Sequence, residues 1–234
     1  MAVFCTEEEV DQLFEALRAA AFVNWGRSLI IHAVPRYLLD LMQKLTEEKG
    51  AIIDAIPFVA FTYQPHLDTL PKRVGPGFRV CLLGRAGVHY LVQRAKYGGM
   101  AHLEVFSRLA QHVPFVGVYR DSGVTQDTTV DPNSLPVAGD EELPVAWVAT
   151  TFEGAVGRLM TDEGYRRHGL GSLITTVTAR RQAALLKLIP HSFVEASNAA
   201  SIAMFTGLPG WKLTHDGVFW LLAGVTLQTY TQRQ

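Results

Sequence analysis

Arg166-Arg167-His168-Gly169-Leu170-Gly171 decides the fold, because this stretch joins a predicted strand at 155–161 to a predicted helix that begins at Gly169 and ends near Leu188. The first backbone N–H groups of a helix have no partner inside the helix, and the helix dipole places partial positive charge there. Glycine lets the backbone approach a ligand closely. The arginines and the histidine add side-chain charge. The stretch therefore predicts a diphosphate site at the start of a helix.

Other glycine-containing phosphate motifs do not fit this stretch. The dinucleotide-binding motif needs three glycines and an acidic residue about 20 residues further on, and the P-loop needs Gly-Lys-Ser or Gly-Lys-Thr. A left-handed turn with solvated arginines is the alternative, and it is common for an isolated Gly-x-Gly. The strand before the stretch and the amphipathic helix after it favour the diphosphate site. The predicted buried stripe of that helix is Leu170, Leu173, Ile174, Val177, Ala184, Leu185 and Leu188.

The rest of the C-terminal third has the same mixed α/β character. Its predicted elements are strands at 192–196, 212–214 and 218–222, a helix at 198–205, and tight turns at 207–210 and 216–217. We call the stretch from Arg166 to Gly171 the anion loop. One cleft is predicted where this loop meets the end of the strand at 155–161 and the next strand.

The N-terminal part predicts a smaller α/β region. Thr6 and Glu9 form a capping-box pattern at the start of a first helix. Pro35 suits the first turn of a second helix, and Gly50 suits its end. The apolar run 51–63 is typical of one or two strands.

A Pro- and Gly-rich passage at 67–77 has few residues that could anchor a core, and it marks a predicted domain boundary. We therefore predict an N-terminal α/β region at 1–68 and a larger domain at 77–228. The first half of the larger domain is predicted to contain a helix with Val88, Tyr90, Leu91 and Val92 that Tyr97-Gly98-Gly99 interrupts, a helix with Leu103, Phe106, Leu109 and Val113, and strands at 116–119 and 145–150. The stretch 121–144 predicts a long surface loop carrying Asp140-Glu141-Glu142.

Charge and composition exclude several classes of function. Lys and Arg number 21 against 22 Asp and Glu, so the formal net charge of -1 gives no general attraction to nucleic acid or to an anionic membrane. No run of about 20 apolar residues could span a membrane, and the first residues resemble neither a secretory signal nor a transit peptide. We expect a soluble cytoplasmic protein without a metal site. The residues that lack the spacing of metal ligands are Cys5, Cys81, His102, His112 and His168.

The anion loop resembles the Arg/Gln-x-x-Gly-x-Gly/Ala signature of the GNAT acyltransferases. Glu195-Ala196-Ser197-Asn198, with Ser201 and Phe205, is similar to the strand and helix that follow in that superfamily. Three strings look most like the glycine N-acyltransferase-like branch: Pro144-Val145-Ala146-Trp147, Tyr165-Arg166-Arg167-His168-Gly169-Leu170 and Val194-Glu195-Ala196-Ser197-Asn198. The resemblance extends from about Gly77 to Leu222.

The resemblance implies an α/β fold with a mixed α+β sheet: the GNAT acyltransferase fold, with splayed central parallel strands and a smaller α/β region before it. Acyl-CoA, the implied cosubstrate, would lie in the gap between those strands, and no metal is required. The implied cofactor-binding residues are Leu159, Met160 and Thr161 for the pantetheine arm, the loop from Arg166 to Ser172 for the pyrophosphate, and Asn198 with Ser201 near the thioester. By analogy the family also allows a mitochondrial location.

Acyl transfer to an amine needs a base for the amine, stabilisation of the developing oxyanion and a proton donor for the leaving thiolate. The resemblance implies a glutamate base at a position that holds Ala155 and a tyrosine acid at a position that holds Phe205. We favour Glu195 as the base, because it flanks the predicted cleft and burial can raise a carboxylate pKa into a working range. The other candidates are Glu153, His191 and His215.

Three functions remain open at this point. The resemblance implies an N-acyltransferase that moves an acyl group from CoA to the amine of a small acceptor, such as glycine or another amino acid. Ala155 and Phe205 favour instead a non-catalytic acyl-CoA-binding or regulatory module. The third alternative is a protein or peptide N-acetyltransferase whose acidic run at 140–142 receives a basic peptide, although so short a run is usually only solvated.

Overall fold

The computed structural model describes residues 6–25, 29–51, 53–94 and 103–223. Its helices are α1 (Val10–Ala19), α2 (Leu39–Glu48), α3 (Arg85–Gln93), α4 (Leu103–Leu109), α5 (Leu170–Arg181) and α6 (Ala199–Gly207). Its strands are β1 (Leu29–Pro35), β2 (Ile53–Tyr63), β3 (Lys72–Val74), β4 (Phe78–Leu82), β5 (Phe115–Arg120), β6 (Thr128–Val130), β7 (Ala146–Thr150), β8 (Val156–Thr161), β9 (His191–Glu195) and β10 (Trp211–Ala223). Of the predicted features, Cys5, Tyr97-Gly98-Gly99 and His102 lie outside the described residues.

The chain forms two compact units. The first contains the described residues of Met1–Ala60, Val194–Ala199 and Thr214–Gln234, and the second contains those of Phe61–Phe193 and Ala200–Leu213. The residues of β2, β9 and β10 are therefore divided between the two units. The division into 1–68 and 77–228 stays a prediction.

The first unit is built on two amphipathic helices and one sheet. At the start of the chain, the backbone N–H of Thr6 donates to Oε2 of Glu9 at 3.0 Å, as the capping-box pattern predicts. α2 follows Pro35 and a short 3₁₀ turn, again as predicted. A buried apolar cluster of this unit contains Leu17, Val23, Trp25, Ile31, Val34, Leu38, Met42, Leu45 and Leu221.

The sheet with the strand order β1-β10-β2-β9 corrects one prediction. The predicted tight turn at 216–217 is not formed, because β10 continues from Trp211 to Ala223 through both residues. Gly217 has a different use: a Cβ atom there would lie 2.5 Å from Nε of Arg36. The glycine therefore makes room for a neighbouring side chain and does not reverse the chain.

The second unit contains an antiparallel sheet with the order β4-β5-β7-β8. α5 packs on β5, β7 and β8. The buried cluster of this unit joins α3, α4 and the sheet through Leu91, Phe106 and Trp147. Cys81 in β4 is a free and buried thiol.

The predicted stripe on α5 is wrong at its C-terminal end. The α-helix ends at Arg181, a π-helical turn occupies Gln182–Leu186, and Lys187 adopts a left-handed conformation with φ 55°. A π turn takes more residues per turn, so positions after it leave the 3.6-residue period. As a result Leu185 and Leu188 are 50% and 43% exposed. Ala184 is also exposed.

The stretch 121–144 is more ordered than a long surface loop. It contains β6, which pairs with β3 in antiparallel register. Further along, Leu82 at the end of β4 receives a bond from Ala138 N–H at 3.0 Å and donates its own N–H to the Pro136 carbonyl at 2.8 Å. Glu142, part of the predicted acidic run, is bonded to Arg79. Sheet pairing and an ion pair therefore tie this stretch to the second unit.

A buried carboxylate connects the segment before β3 to α5. Asp68 lies 2.7 Å from Nζ of Lys72, and its Oδ2 accepts bonds from Tyr63 Oη at 2.7 Å and Arg180 Nε at 2.9 Å. Arg180 also donates to the Leu70 carbonyl at 2.6 Å. The Asp68 side chain is only 1% exposed. Burial raises the pKa of this carboxyl, but the bonds from Arg180, Lys72 and Tyr63 lower the pKa by more, so it lies below the ordinary value.

Candidate functional site

A pocket of about 410 Å³ lies within the second unit, at the N-terminal end of α5. Three segments form it: the end of β8, the loop that follows β8 together with the first turn of α5, and one face of α6. Its lining residues are Leu159, Met160, Thr161, Tyr165, Arg166, Arg167, Gly169, Leu170, Gly171, Ser172, Ala200, Ser201 and Met204. The predicted anion loop and the predicted strand end therefore share one concave surface.

The backbone of the loop turns sharply just before α5. Arg167 and Gly169 both have a left-handed conformation, with φ of 64° and 73°. Gly169 is the N-cap, and no side chain caps the helix. The first intrahelical bond there runs from Leu173 N–H to the Gly169 carbonyl at 3.0 Å. The backbone N–H groups before Leu173 are therefore the ones that a helix leaves without internal partners, and they start at the pocket wall.

Two arginines and a histidine flank this helix end. Arg166, Arg167 and His168 are exposed. Nε of Arg166 donates to the Thr161 carbonyl at 3.2 Å, and Nδ1 of His168 lies 2.9 Å from the Arg166 carbonyl. Two arginines and the positive end of a helix dipole thus face one pocket, an arrangement that attracts anions.

Gly171, in the first turn of α5, faces the end of β8 and leaves a space between the two elements. A Cβ atom at residue 171 would lie 3.5 Å from Oγ1 of Thr161 and 3.8 Å from Cδ1 of Leu159, which are ordinary van der Waals distances. A single carbon therefore fits, whereas a longer side chain would enter the pocket. Glycine at this position leaves a slot between the first turn of α5 and β8.

A β-bulge in β8 precedes the pocket residues. Trp147 pairs with Met160 and Ala149 pairs with Gly157, so Val148 of β7 faces two residues of β8. One of those two is Arg158, whose φ is 56° and whose guanidinium lies 5.7 Å from the Phe106 ring centroid. Bulges interrupt the ladder and redirect the strand. This one lies directly before the strand segment that lines the pocket, and the sequence did not indicate it.

Most of the predicted cofactor-binding residues line this pocket, and two do not. His168 is in the loop but not in the lining, and Asn198 belongs to the first unit. The lining also includes Tyr165, Ala200 and Met204, which sequence reasoning missed. Tyr165 could have been predicted, because it directly precedes the motif. The α6 residues Ala200 and Met204 could not, because their apolar side chains do not indicate a binding site.

The candidate acid and base residues are dispersed. Glu195 ends β9, in the first unit, and its Oε1 accepts a bond from Ser197 Oγ at 2.8 Å. Glu153 lies in the turn between β7 and β8, with its Oε1 shielded from solvent. His191 reaches the same turn: its Cε1 lies 3.9 Å from where a Cβ atom would stand on Gly154. His215 is exposed on β10.

The two residues at the implied catalytic positions belong to the core. Ala155 is 4% exposed at the start of β8. Phe205 stacks on Phe61 at 5.3 Å between ring centroids and meets Trp211 edge-on at 4.8 Å. Packing therefore accounts for Phe205, and neither residue supplies a proton-transferring group.

The described residues were also compared with the requirements of a metal site and of a membrane-spanning helix. In the ranges that the structure describes, no cluster of three or more His, Cys, Asp or Glu side chains could hold a metal ion. None of the helices in those ranges has the length and the hydropathy needed to cross a membrane.

Comparison with known proteins agrees with this architecture. Residues 137–219 match the family model described as FR47-like protein. A search of curated proteins finds no matching sequence. The match covers β7, β8, the anion loop, α5, β9 and α6, and it therefore includes all the residues that line the pocket.

Solved structures extend the likeness to nearly the whole chain. A Drosophila protein is 16% identical, with a TM-score of 0.72, over 94% of this chain and 69% of that one. A GCN5-related N-acetyltransferase from Sphaerobacter thermophilus is 13% identical, with a TM-score of 0.51, over 94% and 67%. A protein from Novosphingobium aromaticivorans, described as belonging to the GNAT family, is 17% identical, with a TM-score of 0.50, over 90% and 80%.

The chain is a mixed α/β protein with a pocket at a helix N-terminus, and two exposed arginines line that pocket. The fold is the GNAT acyltransferase fold, as the sequence predicted. The FR47-like match covers residues 137–219, and these solved structures, each at most 17% identical to this chain, show the likeness of the fold.

Proposed function

We propose that this protein is an acyl-CoA-dependent N-acyltransferase whose acceptor is the amine of a small molecule, such as glycine or another amino acid. The pocket between the first turn of α5 and the end of β8 carries the proposal. The FR47-like match and the GNAT fold support acyl transfer in general. The resemblance of Val194-Glu195-Ala196-Ser197-Asn198 and two other strings to the glycine N-acyltransferase-like branch supports the small acceptor.

The residues of the pocket suit the parts of acyl-CoA. The diphosphate would meet the free N–H groups at the start of α5 and the guanidinium groups of Arg166 and Arg167. The slot beside Gly171 admits a narrow chain such as the pantetheine arm. Leu159 and Met160 line the same slot and offer backbone groups that can bond to the amides of that arm.

The chemistry is the attack of an amine on a thioester. The amine nitrogen forms a bond to the thioester carbonyl carbon, the C–S bond breaks, and the amine proton passes to a base. We assign the base role to Glu195, whose Ser197 hydrogen bond orients the carboxylate. The product is an amide, and the thiolate of CoA leaves and takes up a proton.

Turnover distinguishes this proposal from its main alternative. Because Ala155 and Phe205 are core residues without proton-transferring groups, a non-catalytic acyl-CoA-binding module is the second candidate. A thiol-release assay with a panel of acyl-CoAs and small amines is expected to show amine-dependent release of CoA. Tight binding of acyl-CoA without amine-dependent release would favour the module. No measurable binding would reject both.

Arg166→Ala combined with Arg167→Ala is expected to weaken CoA binding by about 10- to 100-fold, because two charge-assisted contacts to the diphosphate are lost. Calorimetric titration with CoA measures the change. Arg108→Ala is the matched control: this exposed arginine pairs with Glu104 on α4 at 2.7 Å and does not line the pocket. Wild-type affinity in the double variant would contradict the diphosphate site.

Glu195→Gln is expected to lower turnover by about 100-fold or more while CoA affinity changes less than about twofold, because a general base contributes to the chemical step and not to binding of the cosubstrate. Glu153→Gln and His191→Gln, measured beside it, test the other candidates in the second unit. A loss confined to Glu153→Gln would transfer the role to that residue. Unchanged turnover in Glu195→Gln would reject the present assignment.

A further inference from the structure

The arginines of the second unit differ in whether a carboxylate already neutralises them. Arg79 lies 3.2 Å from Oδ2 of Asp121 and also pairs with Glu142. Arg180 is neutralised by Asp68 at 2.9 Å. These two arginines are committed to pairs inside the fold. Their charge is not available to a ligand.

Arg120 is different. It is the last residue of β5, its side chain is exposed, and no carboxylate in the described ranges forms an ion pair with it. The neighbouring acid, Asp121, is held by Arg79. Within the part of the chain that the structure describes, Arg120 therefore carries a positive charge that no carboxylate compensates.

Hydrogen bonding places that charge at the rim of the pocket. Nη1 of Arg120 donates to Oη of Tyr165 at 3.4 Å, and Tyr165 lines the pocket. The Tyr165 ring is oriented in turn by an edge-on contact with Phe78, with ring centroids 6.0 Å apart. The strand ends also lie together, because Val145 N–H donates to the Val118 carbonyl and Asp162 N–H donates to the Val145 carbonyl.

We propose that Arg120, held beside Tyr165 at the pocket rim, binds the 3′-phosphate monoester of CoA and makes the site selective for donors that carry this phosphate. The inference rests on the proposed function, since it assumes that CoA occupies the pocket. It adds a phosphate monoester subsite outside the anion loop.

Charge balance supports a separate subsite. The diphosphate of CoA carries two negative charges, which Arg166, Arg167 and the start of α5 can compensate. A phosphate monoester adds about -1.5 to -2 at pH 7. Both arginines of the loop are then used by the diphosphate, so the monoester needs a cation outside the loop. Arg120 is permanently charged and presents a planar set of donors that suits phosphate oxygens.

The test compares CoA with dephospho-CoA, which lacks only the 3′-phosphate, by calorimetric titration of the full chain. The unmodified protein is expected to prefer CoA by about tenfold, as one charge-assisted contact in a partly exposed setting allows. Arg120→Gln is expected to bring the two affinities to within about twofold of each other, with the affinity for dephospho-CoA unchanged. Tyr165→Phe, which removes the hydroxyl that holds Arg120, should reduce the preference by about two- to threefold.

Arg108→Gln, at an exposed arginine on α4, is the control and should leave the preference for CoA intact. An unchanged preference in Arg120→Gln would overturn the subsite, and so would an equal loss of affinity for both ligands, which indicates a general electrostatic effect. If the unmodified chain binds both ligands tightly and equally, the subsite fails while the proposed function stands. If it binds neither, both fail.

Discussion

Asp68→Ala is expected to lower the free energy of unfolding by about 3–5 kcal/mol, because it removes a buried carboxylate that is the counter-charge of two partly buried cations. The Asp68 side chain is 1% exposed, and those of Lys72 and Arg180 are 16% and 20% exposed. Tyr63 would also lose the acceptor of its 2.7 Å hydrogen bond. Denaturant unfolding at pH 7 measures the change, provided that both proteins unfold in one cooperative transition.

An ion pair with more solvent around it is the control for this prediction. Asp121 is 34% exposed and lies 3.2 Å from Nε of Arg79, so Asp121→Ala is expected to cost less than about 1 kcal/mol. Equal losses in the two variants would contradict the assignment of Asp68 as the central charge of a buried network.

The same network predicts a pH dependence with a defined sign. The pKa of Asp68 is lowered in the folded protein, so its stabilising effect is present above the unfolded aspartate pKa of about 4 and is lost as the pH falls through the folded value. Asp68→Asn keeps the shape and removes the charge. The difference in unfolding free energy between the two proteins should therefore shrink as the pH is lowered below about 4. A constant difference from pH 7 to pH 3 would contradict the charge mechanism.

Local chemistry explains which parts of the fold the sequence predicts well. Gly169 predicts the start of α5, Thr6 and Glu9 predict the start of the first helix, and Pro35 predicts the start of α2. Each of these residues acts through its own neighbours along the chain. Gly217 follows Asp216 and is therefore typical of a turn, but it lies within β10, where the absence of a side chain leaves room for Arg36. Distinguishing those two uses of glycine requires knowledge of a side chain that is distant in sequence.

The candidate site divides in the same way. Arg166 and Gly171 were predicted as site residues because positive charge and a small residue at the start of a helix are typical of a phosphate site, whatever the rest of the chain does. The left-handed conformation of Arg158 was not, because a bulge depends on how β8 pairs with β7 and arginine carries no preference for it. Arg120 was missed for a related reason: its relevance comes from a hydrogen bond to Tyr165, 45 residues away in sequence.

Gly171→Leu is expected to reduce CoA affinity by about 100-fold or more with little loss of stability, because the added side chain fills the slot between α5 and β8. The first added carbon is tolerated, since its nearest neighbours would be Oγ1 of Thr161 at 3.5 Å and Cδ1 of Leu159 at 3.8 Å. Every further carbon must enter the pocket or displace one of them. Calorimetric titration with CoA and thermal unfolding, performed on the same preparation, measure the two quantities.

Alanine substitutions at the two glycines of the loop separate space from backbone conformation. Gly171→Ala lies in the helix, so it is expected to raise stability by roughly 0.5–1 kcal/mol while CoA binding weakens by about tenfold. Gly169→Ala has open space around its Cβ but needs φ near 73°, so it is expected to lower stability by roughly 1 kcal/mol. A more stable Gly171→Ala protein with unchanged CoA affinity would mean that the slot is not part of the binding site. Stability gained together with affinity lost is expected only if glycine is present at residue 171 to leave room for a ligand.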